Sequence, residues 1–302
     1  MARGRERRGI FTIEGPLPFL MREPKLQVES VSNRVWTVSD GTYRTLFVEG
    51  HGSVVAFDTF GTPGGARAYR KAIARTVPGK PIQTIVYSHD HVDHAGFAAD
   101  LAPHAEILAD EMAARVIALR QADGQLKPTR PLRGKRNPVE IDGVTFELLN
   151  PGPTHGTGNL ASYFPDRKLL FMSDTILANA RYGLLPDYHV ANFVRVMHGL
   201  LELEFDTFIP GRYEVLNRTQ FERGCDYIEA LQEATQQAFV QGIPVWILDA
   251  ITAYVKDRLG PRFGNLDGFD QHVGLSAFRI VHHYLMGGWG LEDTASPGLN
   301  LA

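Results

Sequence analysis

The segment His89–His94 places three histidines and two aspartates within six residues, directly after the strand-length apolar run Thr84–Tyr87. Such residues are costly to bury and pack poorly, but imidazole and carboxylate groups bind zinc and similar cations. In an extended segment, side chains two positions apart project to the same side. His89 and His91 are therefore predicted to share one ion, and Asp93 and His94 to turn toward a neighbouring position. The fold must bring further ligands to the end of this strand.

Short apolar runs bounded by Gly, Asp or Pro recur through the first two-thirds of the chain and predict strands. They are Arg34–Val38, Thr45–Val48, Val54–Phe57, Thr84–Tyr87, Glu106–Ala109, Thr145–Leu149 and Leu169–Met172. Helical patterns lie between some of them, at Gly65–Thr76 and Asp110–Arg120. Strands interleaved with helices predict a layered α/β fold with buried sheets. Asp142-Gly143, between two short apolar segments, predicts a hairpin turn.

The last third of the chain is predicted to be helical. Phe221–Gln241 indicates one helix, because Gly242 follows it directly. Two further helices are predicted at Val245–Leu259 and Phe269–Met286, separated by a Gly- and Pro-containing stretch. The chain is thus expected to be an α/β body with a helical C-terminal appendage.

Composition excludes several classes of protein. The formal net charge of -3 gives no global basic field for nucleic acid or an anionic membrane. The basic stretch Arg120–Arg136 is interpreted as a solvated loop without an aromatic stacking platform, so no nucleic-acid partner is expected. Cys225 is the one cysteine, so no intramolecular disulfide forms. No signal-peptide or membrane-length apolar run is present, so a soluble, cytoplasmic protein is expected.

His89-x-His91-x-Asp93-His94 after a strand resembles the signature of the metallo-β-lactamase superfamily. Other family landmarks follow in order: Asp58 resembles an aspartate that supports the metal loop, His155 the third histidine of the first metal site, and Asp174 an aspartate that bridges two metals. The resemblance covers about Val35 to Gly211. It implies a four-layer αββα sandwich, with an N-terminal tail at 1–25, the sandwich at 26–218 and the helical appendage at 219–302.

Arg212 departs from the family pattern. Where Pro-Gly-His is usual, this chain has Pro210-Gly211-Arg212. Arginine does not lose its proton, so it cannot bind a metal ion. Two interpretations remain open: Arg212 turns outward and marks a lost second site, or it points inward and holds an anionic substrate group. Histidines elsewhere are candidates for the missing ligand, namely His189, His198, His272, His282 and His283.

The predicted function is metal-assisted hydrolysis of a small ester-like substrate such as a lactone, thioester or sulfate ester. The predicted metal ligands are His89, His91, Asp93, His94, His155 and Asp174, for one or two zinc ions. A metal-bound hydroxide attacks, and Asp93 or Asp174 orients it or accepts its proton. Loops at strand ends make certain side chains candidates for substrate contact: Arg212, Tyr182, Tyr188 and Tyr213.

Two alternatives come from other functional classes. A one-metal site resembles that of the superfamily's persulfide dioxygenases, which would hold iron and consume oxygen. A non-catalytic metal- or ligand-binding protein would keep the site as a relic. The stretch Phe278–Trp289 is also similar to the helical region of alkylsulfatases, which implies a possible homodimer through the C-terminal helices. An amphipathic helix that only covers the sheet is the simpler interpretation of that stretch.

Overall fold

The apolar runs of the N-terminal half form one seven-stranded sheet in a computed structural model, which describes residues 18–122 and 124–286. Its strands, in both chain order and sheet order, are β1 (Gln27–Ser32), β2 (Val35–Ser39), β3 (Arg44–Glu49), β4 (Val54–Phe57), β5 (Ile82–Val86), β6 (Glu106–Asp110) and β7 (Arg130–Leu132). The first four pair antiparallel, and β4 to β7 run parallel. The parallel strands therefore end at one edge of the sheet.

The second sheet has six strands and begins with the predicted hairpin. Its strands are β8 (Arg136–Ile141), β9 (Val144–Leu149), β10 (Ala161–Phe164), β11 (Leu169–Phe171), β12 (Thr207–Ile209) and β13 (Leu216–Asn217), in the sheet order β13-β12-β11-β10-β9-β8. Asp142 and Gly143 join β8 to β9 with φ angles of 51° and 77°. Positive φ at both central residues is the requirement of a type I′ turn, so the hairpin prediction is confirmed.

Helices connect the strands and follow them. They are α1 (Pro18–Met21), α2 (Pro63–Thr76), α3 (Val92–Ala95), α4 (Ala98–Leu101), α5 (Glu111–Arg120), α6 (Val190–Leu200), α7 (Arg218–Val240), α8 (Leu248–Phe263) and α9 (Phe269–Met286), with a 3₁₀ turn at Pro165–Arg167. None of the helices in the described ranges is long and apolar enough to cross a membrane.

Several helix boundaries and one loop differ from the sequence predictions; α8, for example, begins at Leu248 rather than Val245. α7 begins at Arg218 rather than Phe221, because Asn217 and Gln220 form a capping box ahead of it. α8 continues through Pro261 to Phe263, since the Phe263 ring is buried against the helical core. The predicted loop Arg120–Arg136 contains strand β7, which pairs with β6. At Pro261 and within Arg120–Arg136, burial and sheet pairing outweigh the tendency of Pro and Gly to end a helix or a strand.

Three apolar cores separate four layers. The core between the sheets is made by residues of both: Val35, Leu46, Val48, Val55, Phe57, Val86, Leu108, Leu132, Val139, Val144, Phe146, Leu148, Phe164, Leu169, Phe171 and Ile209. Along β3, Leu46 faces this core and Phe47 faces the core under α2 and α5. The second sheet shares its outer core with α6 to α9. The predicted four-layer αββα architecture with C-terminal helices is confirmed.

The buried imidazole of His283, on α9, makes the stability of this helical layer depend on pH. Its Nε2 lies 3.2 Å from the backbone nitrogen of Ala191, from which it accepts a hydrogen bond. Burial, with His189 and Arg279 nearby, lowers the pKa of His283 to about 4. The unfolded chain has a higher histidine pKa of about 6.5, so it binds more protons below that pH. The folded state should therefore lose roughly 2 kcal/mol of stability as the pH falls from about 6.5 to 4.

Urea unfolding at pH 7 and pH 4.5, with a chelator present, measures this loss. In His283→Gln the loss should be clearly smaller, because the glutamine can accept the same backbone hydrogen bond without titrating. An equal loss in both proteins would contradict the assignment to His283.

Candidate metal centre

The predicted ligands follow strands whose ends meet at one edge of the sandwich. Asp58 comes directly after β4, and the segment Ser88–His94 follows β5. Asp174 and Arg212 lie on loops after β11 and β12, and His155 lies on the loop between β9 and β10. In α/β sheets, ligands bind beyond the carboxyl ends of the strands, and this placement follows that rule.

His89, His91 and His155 form the first group of metal donors. One nitrogen of each lies within 4.8 Å of the others. The Nε2 of His89 is buried and has no hydrogen-bond partner in the described part of the chain. Burial, together with the imidazoles of His94 and His155, holds the pKa of His89 well below its usual range. The uncharged, buried imidazole of His89 with its unused nitrogen fits a metal ion, and three histidine donors leave one position of a tetrahedral site for water.

Hydrogen bonds outside this group fix which ring nitrogens face the metal position. The Nδ1 of His89 lies 2.8 Å from the Ser88 hydroxyl, which also lies 2.9 Å from Oδ2 of Asp58. The backbone N–H of Ser88 donates to Oδ1 of Asp58 at 2.8 Å. The Nε2 of His91 lies 2.7 Å from Oδ2 of Asp187. These contacts leave Nε2 of His89 and Nδ1 of His91 for an ion.

Asp187 is a site residue that the sequence analysis missed. It lies in the loop before α6, with φ at 59°, a backbone conformation that Asp adopts more readily than most residues. Nothing in the local sequence around Pro186-Asp187 signals a role, since its partner His91 lies 96 residues earlier.

Asp187→Asn is expected to weaken zinc affinity about tenfold, because the carboxylate orients the His91 ring and raises its basicity. Competition with a zinc-binding dye measures the affinity. Asp270→Asn on the exposed face of α9 is the matched control and should leave affinity unchanged. Equal zinc affinities in the two variants would show that Asp187 does not support the metal centre.

Asp90 ties the two ligand loops together and was also missed, although it stands inside the motif. Its side chain is buried and accepts a hydrogen bond from the backbone N–H of Thr157 at 2.7 Å. Arg120, at the end of α5, forms an ion pair with the same carboxylate. The loop that carries His155 is thereby held against the loop that carries His89 and His91.

Asp93, His94 and Asp174 surround the guanidinium of Arg212. Its Nε lies 2.7 Å from Oδ1 of Asp174 and its Nη2 lies 2.9 Å from Oδ2 of the same carboxylate. Nη2 also lies 2.6 Å from Oδ2 of Asp93 and 2.9 Å from Nε2 of His94. The interpretation that Arg212 turns outward is therefore wrong. The side chain points inward, but its fork binds Asp174 of this chain. That Arg212 holds an anionic substrate group stays a prediction.

The charged side chains around Arg212 shift one another's pKa values. Burial opposes ionisation of Asp174, but His94 and Arg212 hold the pKa of its carboxyl well below the usual range. Burial alone would lower the pKa of His94, but the carboxylates of Asp174 and Asp58 outweigh burial. The pKa of His94 is therefore raised to about 10. The Nδ1 of His94 lies 3.0 Å from Oδ2 of Asp58, so Asp58 contacts the second group directly and the first group through the Ser88 hydroxyl. That Asp58 supports the metal-binding loop stays a prediction.

The predicted substrate-contact tyrosines lie at different depths. The ring of Tyr188 lies 4.7 Å from that of His155. Tyr182 lies behind it, with a hydroxyl that accepts a hydrogen bond from the backbone N–H of Leu177. Tyr213 follows Arg212 and stacks with Arg181. Tyr43, which was not predicted, has its ring 4.7 Å from that of His94 and lies under the Arg212 guanidinium.

The five other candidate histidines do not join either donor group in the described ranges. His189 caps α6, accepting from the backbone N–H of Asn192, and His198 pairs with Glu229. The Nδ1 of His282 lies 2.8 Å from the Phe278 carbonyl oxygen. The missing second-site ligand is therefore not supplied by them.

The fold and the donor groups define an αββα protein with a cluster suited to metal: His89, His91, His94, His155 and Asp174. The chain belongs to the metallo-β-lactamase superfamily, whose family model matches residues 40–194. This confirms the family prediction.

Two curated relatives are similar over nearly the whole chain. One is the 2,4-dinitroanisole O-demethylase subunit alpha of Nocardioides sp. (strain JS1661), 42% identical over 95% of this chain and 88% of the relative. The other is the subunit beta of the same name and organism, 38% identical over 88% of this chain and 84% of the relative.

Solved structures share the fold at low sequence identity. A stereoselective inverting sec-alkylsulfatase from Pseudomonas sp. has a TM-score of 0.68 at 18% identity, covering 91% of this chain and 52% of that chain. A metallo-β-lactamase from Pontibacter korlensis has a TM-score of 0.60 at 18% identity, covering 68% of this chain and 99% of that chain. The longer alignment supports the predicted likeness to alkylsulfatases, although Gly287–Trp289 of that stretch lie outside the described residues.

Proposed function

We propose that this chain is a metal-dependent hydrolase that uses water to cleave a C–O or C–S bond of a small ether-like or ester-like substrate. The observation that carries the proposal is the buried Nε2 of His89, which lacks a hydrogen-bond partner in the described part of the chain and converges with His91 and His155. Zinc is the metal we expect, because nitrogen donors and a tetrahedral arrangement suit it.

When bound, the ion supplies Lewis-acid activation of water at neutral pH and of the leaving oxygen. Asp93 and Asp174 differ in what they can do beside it. Asp174 is buried, and the Arg212 fork occupies both of its oxygens. The Asp93 side chain is 55% exposed and is held through one oxygen, so it is free to orient the water and accept its proton. Asp174 acts with Arg212 as a fixed ion pair that positions Asp93.

Activated ethers and esters are the substrate class that the relatives favour. An O-demethylase of 2,4-dinitroanisole acts on an aryl methyl ether, and alkylsulfatases act on sulfate esters. Water and an aryl methyl ether yield a phenol and methanol, so the reaction needs no oxidant. Electron-withdrawing nitro groups stabilise the negative charge that develops as hydroxide adds to the ring. Lactones and thioesters, also predicted from the sequence, belong to the same test panel.

Turnover of this panel by zinc-loaded and chelated protein tests the proposal. The panel holds 2,4-dinitroanisole, a secondary alkyl sulfate, an aryl ester, a lactone and a thioester. We expect at least one to be cleaved, with activity lost on chelation and restored by zinc. No turnover of any member by protein with a full metal site would contradict the proposal and favour a binding protein.

We further propose that the C-terminal helices form an interface with a second copy of this chain. Large apolar side chains near the ends of α7, α8 and α9 are exposed: Phe239, Val240, Trp246, Ile247, Tyr284 and Leu285. Exposed large apolar side chains are typical of association sites. The relatives support an association of like chains, because both are named as subunits of an O-demethylase and both resemble this chain.

Sedimentation equilibrium tests the association. The chain should have the mass of a dimer, and a Phe239→Asp, Trp246→Asp double variant should shift to the monomer. Arg262→Ala, elsewhere on α8, is a control that should stay dimeric. A monomer at all protein concentrations would overturn the interface.

A further inference from the structure

We infer that the guanidinium of Arg212 takes the place of a second metal ion, so that the centre holds one ion and one fixed organic cation. The inference rests on the proposed function, since it assumes an ion at His89, His91 and His155. It concerns the neighbouring position, whose residues Asp93, His94 and Asp174 do not fit a second ion in this chain.

The distances around Nη2 carry the inference. Nη2 lies 2.6 Å from Asp93 Oδ2, 2.9 Å from Asp174 Oδ2 and 2.9 Å from His94 Nε2. Two of these atoms, on His94 and Asp174, belong to the second set of metal donors, which His89 completes, and Asp93 is the predicted ligand beside them. Zinc binds such donors at about 2.0–2.2 Å, so an ion bound to all three would lie against Nη2. It would also face a positive charge that cannot be removed by deprotonation.

Contacts on the other side of the guanidinium hold it there. Its Nε completes a two-point contact with Asp174 at 2.7 Å. The plane lies over the Tyr43 ring, 5.6 Å from its centroid. The backbone is fixed as well, because the N–H of Arg44 donates to the carbonyl of Gly211 at 2.8 Å. An incoming ion would have to break this whole set of contacts rather than displace a free side chain.

Gly211 makes this placement possible. Its φ is +79°, and a Cβ there would lie 2.2 Å from Oγ of Ser173. Only a residue without a side chain lets the loop after β12 pass this close to the loop after β11. The two loops thus bring Arg212 within reach of Asp174.

The contribution of Arg212 is a positive charge beside a group of carboxylates. One oxygen each of Asp58, Asp93 and Asp174 lies within 3.4 Å of a ring nitrogen of His94. Arg212 places a permanent positive charge against two of these carboxylates, and a chelator cannot remove it. The consequence is a centre that needs a single ion and holds Asp93 and Asp174 in place even before that ion binds.

Zinc content after equilibrium dialysis, measured by elemental analysis, tests the inference without depending on turnover. We expect one zinc per chain in the wild type and in the surface control Arg262→Ala. Arg212→His supplies the missing donor and should take up two. Its second site should bind zinc at least about 100-fold more tightly than any second site of the wild type. Arg212→Ala, which only vacates the position, should show a second, weaker site.

Three other results would contradict the inference, and they differ in what they mean for the proposed function. Two zinc ions in the wild type would overturn the inference and leave the proposed hydrolase intact. One ion in the wild type and in both Arg212 variants would also overturn it, since the arginine would not be what excludes the second ion. No zinc in the wild type would mean that the proposed function itself fails, together with the inference.

Discussion

Replacing His89 with alanine is expected to lower kcat/KM for the cleaved substrate by at least about 10³-fold, because the ion loses a buried donor. Within the described residues, the Nε2 of His89 has no hydrogen-bond partner, and it belongs to the ligand cluster. Initial rates at saturating zinc, together with zinc content, measure the effect. The initial rate and the zinc content should fall together.

Matched variants separate loss of metal from loss of fold. His91→Ala removes a partly exposed donor and should give a similar loss with less disturbance of the core. His198→Ala removes an exposed histidine outside the cluster and should keep full activity. Urea unfolding in chelator should show that all three variants remain folded. Full activity in folded His89→Ala would exclude the histidine cluster from the reaction.

Replacing Asp174 with asparagine is expected to destabilise the metal-free protein by about 2–3 kcal/mol, because it leaves Arg212 without its charged two-point partner. Asparagine keeps the size of the side chain, so the effect reports the charge and the second hydrogen bond. The Asp174 side chain is 8% exposed, so water replaces little of what is lost. Urea unfolding in the presence of chelator measures the change.

Asp93→Asn is the control for this measurement. Asp93 contacts the same guanidinium, but its side chain is 55% exposed. Exposed ion pairs contribute about 0–1 kcal/mol, so this variant should lose less than about 1 kcal/mol. Comparable losses of stability in the two variants would show that the Arg212–Asp174 ion pair stabilises the fold no more than the exposed Arg212–Asp93 pair does.

Local sequence was enough to predict the elements that carry the site. β5 and the segment His89–His94 are contiguous, so the motif itself shows that ligands follow a strand. The hairpin at Asp142-Gly143 depends on two residues that accept positive φ, and it too is local. The family resemblance then supplied His155 and Asp174, whose own surroundings are unremarkable.

The partners of these ligands could not be predicted because they arise from packing between distant loops. Asp187 meets His91 only because the loop before α6 folds over the centre. The direction of Arg212 was open in the sequence, since a guanidinium is stable in solvent as well as in an ion pair. Two carboxylates from different loops, Asp93 and Asp174, decide it, and their proximity exists only in the folded chain.

Turnover of 2,4-dinitroanisole by the zinc-loaded protein, with and without oxygen, tests the central claim most directly. We expect equal rates in both conditions, with one methanol released for each phenol. A persulfide-dioxygenase-like iron centre would instead require oxygen, and oxidative demethylation would release formaldehyde rather than methanol. A requirement for oxygen, or formaldehyde as the product, would contradict hydrolysis at this centre, and iron as the bound metal would contradict zinc.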